Sequence, residues 1–432
     1  MAVMSNISRD KNGSLKIGSK YVRELAEKYG TPLYIIDEDE VRKNCRIYKN
    51  GLERYAPKGS MAAYASKAFC CKHIYEVLQQ EGLGADVVSG GEIFTAASAG
   101  FDMQKVYFHG NNKSECEINL AIKYNVGKFV ADNIQELYTL DRKAGEAGKQ
   151  LEILLRIKPG VEAHTHDFIR TGQIDSKFGL ALENGEAEKA CELAVSMPNL
   201  NLVGLHCHIG SQIFDYEPFE EAASVMMKFI ALVKQKYHAD IKELNLGGGY
   251  GIKYLDKHNP VPYEDYIKSI CETTAKAAAE LGVESPVIIM EPGRSIVGNA
   301  GITVYKVGCV KRIEGVRTYV SVDGGMGDNP RYILYEAEYE AALVDLPHDR
   351  PEEKITIAGK CCESGDILLR DFSMPVPEAD ELIAVLCTGA YNYSMASNYN
   401  RIPRAAVAAV SGNSDKLIVH RESLEDIVKN DL

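Results

Sequence analysis

No apolar run in this 432-residue chain approaches the ~18 residues that a membrane helix needs. Met1 to Asp10 has neither the basic start nor the apolar stretch of a signal peptide, so a cytoplasmic protein with no membrane partner is expected. Repeated CxxC pairs of the zinc-ribbon type are missing, because the eleven cysteines are scattered or stand side by side, as in Cys70-Cys71 and Cys361-Cys362. That usage fits free thiols in a reducing compartment. Basic stripes with interleaved aromatics are absent and the net charge is −12, which argues against nucleic acid as a partner. Neither GxxxxGK[ST] nor GxGxxG occurs, so nucleotide-loop readings lack support. What is present, 45% hydrophobic and 25% charged residues, describes a globular chain of two domains with core enough to enclose a site. The partners expected are a small molecule and a second copy of the chain.

From Met61 to Arg294, short apolar runs alternate with longer amphipathic segments, the pattern of repeated βα units. Eight strands are predicted, at Met61 to Lys67, Gly84 to Val88, Lys105 to His109, Lys128 to Ala131, Leu151 to Lys158, Leu202 to His208, Lys242 to Leu246 and Pro286 to Glu291. Eight such strands argue for a closed (β/α)8 barrel with its chemistry at the C-terminal strand ends, an open doubly wound sheet being the alternative. From Ile302 onward the texture is strand-like, with Gly, Pro and Asp turns. The expected division is N-terminal strands over 1–36 joining a β domain, a barrel over 37–298, and the β domain proper over 299–432. Leu15, Ile17 and Leu33 to Ile36 are the candidates for those N-terminal strands.

Candidate chemistry sits where the predicted strands end. Lys67, in Tyr64-Ala65-Ser66-Lys67-Ala68, follows the first strand, and a desolvated amine there can hold a carbonyl cofactor as an imine. In His206-Cys207-His208-Ile209-Gly210-Ser211 the two histidines share a strand face. A metal would need a third ligand that nearby spacing does not supply, whereas an imidazole can lie against a flat ring and Ser211 can donate to a phosphate. Gly247-Gly248-Gly249 lets successive N–H groups converge on an anion. Glu291-Pro292-Gly293-Arg294 ends a strand with a carboxylate for a heterocycle nitrogen and a guanidinium for an anion, or with a plain structural ion pair. In the β-rich part stand Asp323-Gly324-Gly325, Arg331 with Tyr335, Cys361-Cys362-Glu363-Ser364-Gly365-Asp366, and Gly389-Ala390-Tyr391. Cys362 suits a proton donor and Glu363 a partner for an ammonium group, against the plainer reading of an inert thiol before a turn. His164-Thr165-His166-Asp167 reads as structural.

Taken in order, YASKA, DVVSGGE (Asp86 to Glu92), KFG (Lys177 to Gly179), HCHIGSQ, LGGGYG, EPGR, CCESGD and TGAY resemble the fold-type III pyridoxal-phosphate decarboxylases. This is the alanine racemase-like family that acts on ornithine, diaminopimelate and arginine, and the likeness runs over nearly the whole chain. The resemblance implies a PLP-binding barrel, a β domain built from both chain termini, and a head-to-tail homodimer whose sites are completed across the interface. It makes Lys67 the imine lysine and sets His208 against the pyridine ring and Glu291 at its nitrogen. Ser211, Gly248, Gly249, Gly293, Arg294 and Tyr391 would hold the phosphate, with Asp86 and Pro292 also on the cofactor's side. Arg294, Arg331, Tyr335, Glu363 and Tyr391 would contact substrate, Cys362 would protonate Cα, and no metal is implied.

The activity so implied is decarboxylation of meso-2,6-diaminopimelate at its D-centre to L-lysine and CO2. Alternatives are a related basic amino acid or carboxynorspermidine decarboxylase, or a non-catalytic regulatory homologue, which would be expected to lose Lys67 or Cys362. A racemase would usually carry Arg at the ring nitrogen, in place of Glu291. Two departures from the family pattern, Tyr332 in place of a frequent Pro and Ala68-Phe69 in place of Ala-Asn, remove no functional group.

Overall fold

The computed structural model describes residues 3–161, 176–346 and 349–432. The chain folds as two compact units, one of Asn44–Gly251 and Pro260–Ser295, the other of Met1–Lys43, Ile252–Asn259 and Ile296–Leu432.

The first unit is the barrel. Its strands, here β1 to β8, are Met61–Ala65, Gly84–Val87, Val106–Phe108, Lys128–Ala131, Leu151–Lys158, Leu200–His206, Glu243–Asn245 and Val287–Met290. All pair in parallel in chain order, and β8 returns to β1 through Ile289 opposite Met61 and Met290 opposite Ala62, which closes the sheet. Each predicted strand is found: Lys128–Ala131 and Leu151–Lys158 as predicted, the sixth starting two residues earlier and ending at His206, and the others trimmed at one or both ends. The intervening helices include Lys72–Glu81, Gly90–Ser98, Glu115–Lys123, Ile134–Glu146, Glu186–Ser196, Glu217–Tyr237 and Tyr263–Leu281. Several start on sequence-legible caps: Ser89, Ser114 and Asn133 each accept the N–H three residues on.

Ala63, Tyr107, Val130, Leu154, Val203 and Ile289 pack as one buried cluster contributed by six of the strands. Residues two apart on a strand share a face. His109, Asp132, Arg156 and Glu291 follow Tyr107, Val130, Leu154 and Ile289 by two residues, so an apolar layer is topped by a polar one at the C-terminal mouth. Two groups brace that end from outside: Lys113 Nζ donates to Glu136 Oε1 at 2.6 Å and to the Val130 carbonyl at 2.7 Å, both side chains being buried.

The second unit is β-rich. Its main sheet runs Ile367–Pro375, Glu352–Ala358, Arg317–Val322, Gly301–Ile313, Leu33–Asp37, Ala406–Ser411, Ser414–Val419. Leu33–Asp37, buried throughout, pairs antiparallel with Gly301–Ile313 and parallel with Ala406–Ser411, so an N-terminal strand sits inside a C-terminal sheet. Leu15–Ile17, in contrast, belongs to a separate three-stranded sheet with Ile7–Arg9 and Lys20–Tyr21. It is tied to the C-terminal segment all the same, because the Leu15 N–H donates to the Val344 carbonyl at 2.7 Å and Ser14 forms an antiparallel bridge with Asp345. No helix among the described residues is long and apolar enough to cross a membrane.

Candidate active site

Glu291, just beyond β8, is the hub of the barrel mouth. Its Oε1 accepts from Asn245 Nδ2 at 2.6 Å and lies 2.7 Å from His109 Nε2, while Oε2 lies 3.1 Å from His206 Nε2. Burial works against ionisation of this carboxyl, but the two histidines outweigh it and hold Glu291 well below the usual carboxylate range. Asp86, buried on β2 with Oδ1 4.0 Å from His109 Nε2, is instead pushed up by burial, partly opposed by His109. Neighbouring carboxyls are thus driven in opposite directions, which is how one site carries two protonation states.

The histidines are read differently from the sequence expectation. His206 is enclosed, and burial pushes its imidazole down to about 4. One ligand atom each from His109, His206 and Glu291 lie within 4.8 Å of one another, so the third group that local spacing did not supply comes from other strands. These atoms pair through hydrogen bonds and form a carboxylate clamp. His208 lies past the end of β6, where its Nδ1 accepts the Gly248 N–H at 3.3 Å. Burial, then the charges of Lys67 and Arg156, push it well below the ordinary histidine value, so its ring is neutral.

Three loops meet beside His208, those after β6, β7 and β8. A Cβ on Gly248 would stand 2.0 Å from the Glu291 carbonyl oxygen, and one on Gly249 would stand 2.3 Å from that of Gly210. Only glycine permits that approach, and the result is a cradle of backbone beside Ser211 Oγ, which accepts from Arg294 Nη2 at 2.9 Å. Glu291 is thus partnered by His109, His206 and Asn245, and Arg294 by Ser211. A phosphate site in the loops after strands seven and eight, with an anchoring guanidinium, is the usual place for one in this architecture. Pro292 and Gly293 lie in the third loop, and the Pro292 carbonyl accepts the Ala65 N–H at 3.0 Å, which ties that loop to the strand carrying the lysine. The donor set fits pyridoxal phosphate, with an anion cradle, a flat neutral imidazole and an ionised carboxylate.

Lys67 lies in the turn Ser66–Ala68 after β1 and is exposed, so the desolvation expected of it is not supplied by its own packing. His109, Asn245, Asp132 and Arg156 were not singled out from the sequence. The signal available was positional: each is a polar residue at or near the C-terminal end of an apolar strand run.

The remaining candidates lie in the β-rich unit. Arg331 is buried, donates from Nη1 to Tyr339 Oη at 2.5 Å and stacks 5.0 Å from the Tyr254 ring centroid. Tyr335, Cys362 and Glu363 are exposed, and Tyr391 adopts a left-handed backbone with φ +65°. Asp366 fixes the cysteine loop, accepting from Met326 N at 2.6 Å and Cys361 N at 2.8 Å. The segment His164 to Asp167 lies outside the described residues.

Fold and barrel mouth together define a class, the barrel enzymes that hold pyridoxal phosphate for amino acid decarboxylation. The family described as "Pyridoxal-dependent decarboxylase, pyridoxal binding domain" matches residues 38–298. The diaminopimelate decarboxylase of Bacillus subtilis is 47% identical over 98% of this chain and 96% of its own length, and that of Synechocystis is 43% identical over 98% and 91%. A crystal structure of diaminopimelate decarboxylase from M. jannaschii superposes with a TM-score of 0.94 at 36% identity, covering 100% of this chain and 99% of that one. The chain belongs to the diaminopimelate decarboxylase family of pyridoxal-dependent decarboxylases.

Proposed function

We propose that this chain removes the carboxylate at the D-configured centre of meso-2,6-diaminopimelate, giving L-lysine and CO2, the last step of lysine biosynthesis. The observation that carries it is the ionised, clamped Glu291 facing the same barrel mouth as the Gly248-Gly249 cradle, in a chain that matches diaminopimelate decarboxylases along almost its whole length. Pyridoxal phosphate, when bound, supplies a carbonyl that amines can capture and a ring that accepts the electron pair left as CO2 departs.

The residues divide the work by position. Lys67 holds the cofactor's carbonyl between turnovers, and Ser211, Gly248, Gly249, Gly293, Arg294 and Tyr391 take the phosphate. His208, neutral and flat, supports one ring face. Glu291 holds a proton at the ring nitrogen, because its carboxylate stays ionised in a buried place where an opposite charge is favoured. Asp86 and Pro292 shape the cofactor's surroundings. Arg294, Arg331, Tyr335, Glu363 and Tyr391 orient the distal amino acid end of the substrate, which sets which carboxylate stands ready to leave. Cys362 delivers the proton to Cα.

The proposal includes a homodimer in which Cys362 and Glu363 of each copy complete the site of the other. Their exposure in a single chain supports this, since a proton donor in bulk water would not discriminate. It also includes a cytoplasmic location, supported by eleven cysteines that all stand as free thiols. The test is CO2 release and chiral product analysis from purified protein supplied with pyridoxal phosphate and, separately, meso-diaminopimelate, ornithine or arginine. L-lysine from the first substrate alone is expected; preference for another would move the specificity, and no release from any would favour a regulatory protein.

A further inference from the structure

Asn245 closes β7 at the centre of the barrel mouth and is wholly enclosed. Its Oδ1 accepts the Gly247 N–H at 2.9 Å, and its Nδ2 donates to Glu291 Oε1 at 2.6 Å. The Glu291 N–H in turn donates to the Gly247 carbonyl at 2.7 Å. One amide thus closes a ring of hydrogen bonds that contains both the first residue of the glycine turn and the carboxylate. Gly247 holds φ +65°, a left-handed conformation that this bond helps to fix. The other two partners of Glu291 are imidazoles, whose donor role depends on tautomer, whereas a primary amide nitrogen can only donate.

We infer that Asn245 is a positioning residue that sets the phosphate end and the ring-nitrogen end of the cofactor seat relative to each other. This rests on the reading above, in which the glycine turn meets the phosphate and Glu291 the ring nitrogen. Aspartate would keep the acceptor for Gly247 but set a second carboxylate against Glu291, breaking one arm alone. Alanine would break both, stranding the buried Gly247 N–H and leaving Glu291 Oε1 with His109 alone.

The experiment titrates the cofactor-free, full-length protein with pyridoxal phosphate and with pyridoxal, following absorbance. The preference for the phosphorylated ligand reports the phosphate end, and a loss common to both ligands reports the ring end. Asn245→Asp is expected to weaken both ligands about tenfold with the preference unchanged. Asn245→Ala is expected to weaken both and also to cut the preference severalfold; if it fails to fold, Asn245→Ser carries the same comparison. A wild-type preference in Asn245→Ala, or wild-type affinity in Asn245→Asp, would overturn the inference. Two reference variants separate this from failure of the seat itself. Ser211→Ala should lower the preference and Glu291→Gln the common affinity, and if both stay at wild-type values the seat is wrongly assigned and the inference falls with it.

Discussion

The barrel mouth and the β-rich unit hold their candidate residues in opposite ways. In the barrel, Glu291, His109, His206 and Asn245 are buried and braced by one another, so their geometry is set before any ligand arrives. In the β-rich unit, Arg331 is braced while Tyr335, Cys362 and Glu363 stand exposed on loops and a helix end. On the proposed reading, the braced barrel residues serve the cofactor and the exposed ones serve the substrate. Preorganised charge serves the first task, and adaptable contact serves the second.

Breaking the comparison at its strongest point, Lys67→Ala should lose both the absorbance of bound cofactor and all measurable CO2 release. Cys362→Ala should retain cofactor absorbance while kcat falls by about 10²–10⁴-fold, the range for loss of a general acid. Co-refolding these two inactive variants sharpens the contrast, because hybrid dimers carry one intact site. About a quarter of wild-type activity should return, and none if each copy is self-sufficient. Next, Glu291→Gln should cost about a hundredfold in kcat, the scale for removing a placed charge from a buried site, with secondary structure unchanged by circular dichroism.

Stability effects come below these. Lys113→Met leaves Glu136 buried without its partner and should lower the urea-unfolding free energy by about 3–5 kcal/mol. Smallest is a pH effect shared by the two units. Burial pushes Glu92 in the barrel unit and Asp328 in the β-rich unit each up to about 7. The folded protein then keeps a proton that the unfolded chain has released, so stability falls as pH rises from the ordinary carboxylate range to about 7 and levels off above it. Relative to wild type, Glu92→Gln should flatten that slope in unfolding experiments across the same window.

The eight barrel strands were legible because each is a short apolar run between helical stretches, and the helices because their polar faces repeat. Lys67, His208, Ser211, the glycines and Glu291 were legible as motifs at strand ends. His109, Asn245 and Arg156 were not, since a single polar residue near a strand's end carries meaning only once its neighbours on other strands are known. The third member of the His206 cluster was missed for the same reason: His109 and Glu291 reach it across the barrel, not along the chain. Leu15–Ile17 pairs within its own short sheet and also reaches the C-terminal part, through the Leu15 N–H on the Val344 carbonyl. Lys67 was expected to be desolvated, but a strand-end turn gives it position without cover.

The most direct test of the account uses meso-diaminopimelate labelled with ¹³C only in the carboxylate of its D-centre. All label should leave as CO2, and the product should be unlabelled L-lysine. Label retained in the product, or D-lysine, would contradict the assignment of the reacting centre and with it the orienting role given to Arg294, Arg331 and Glu363.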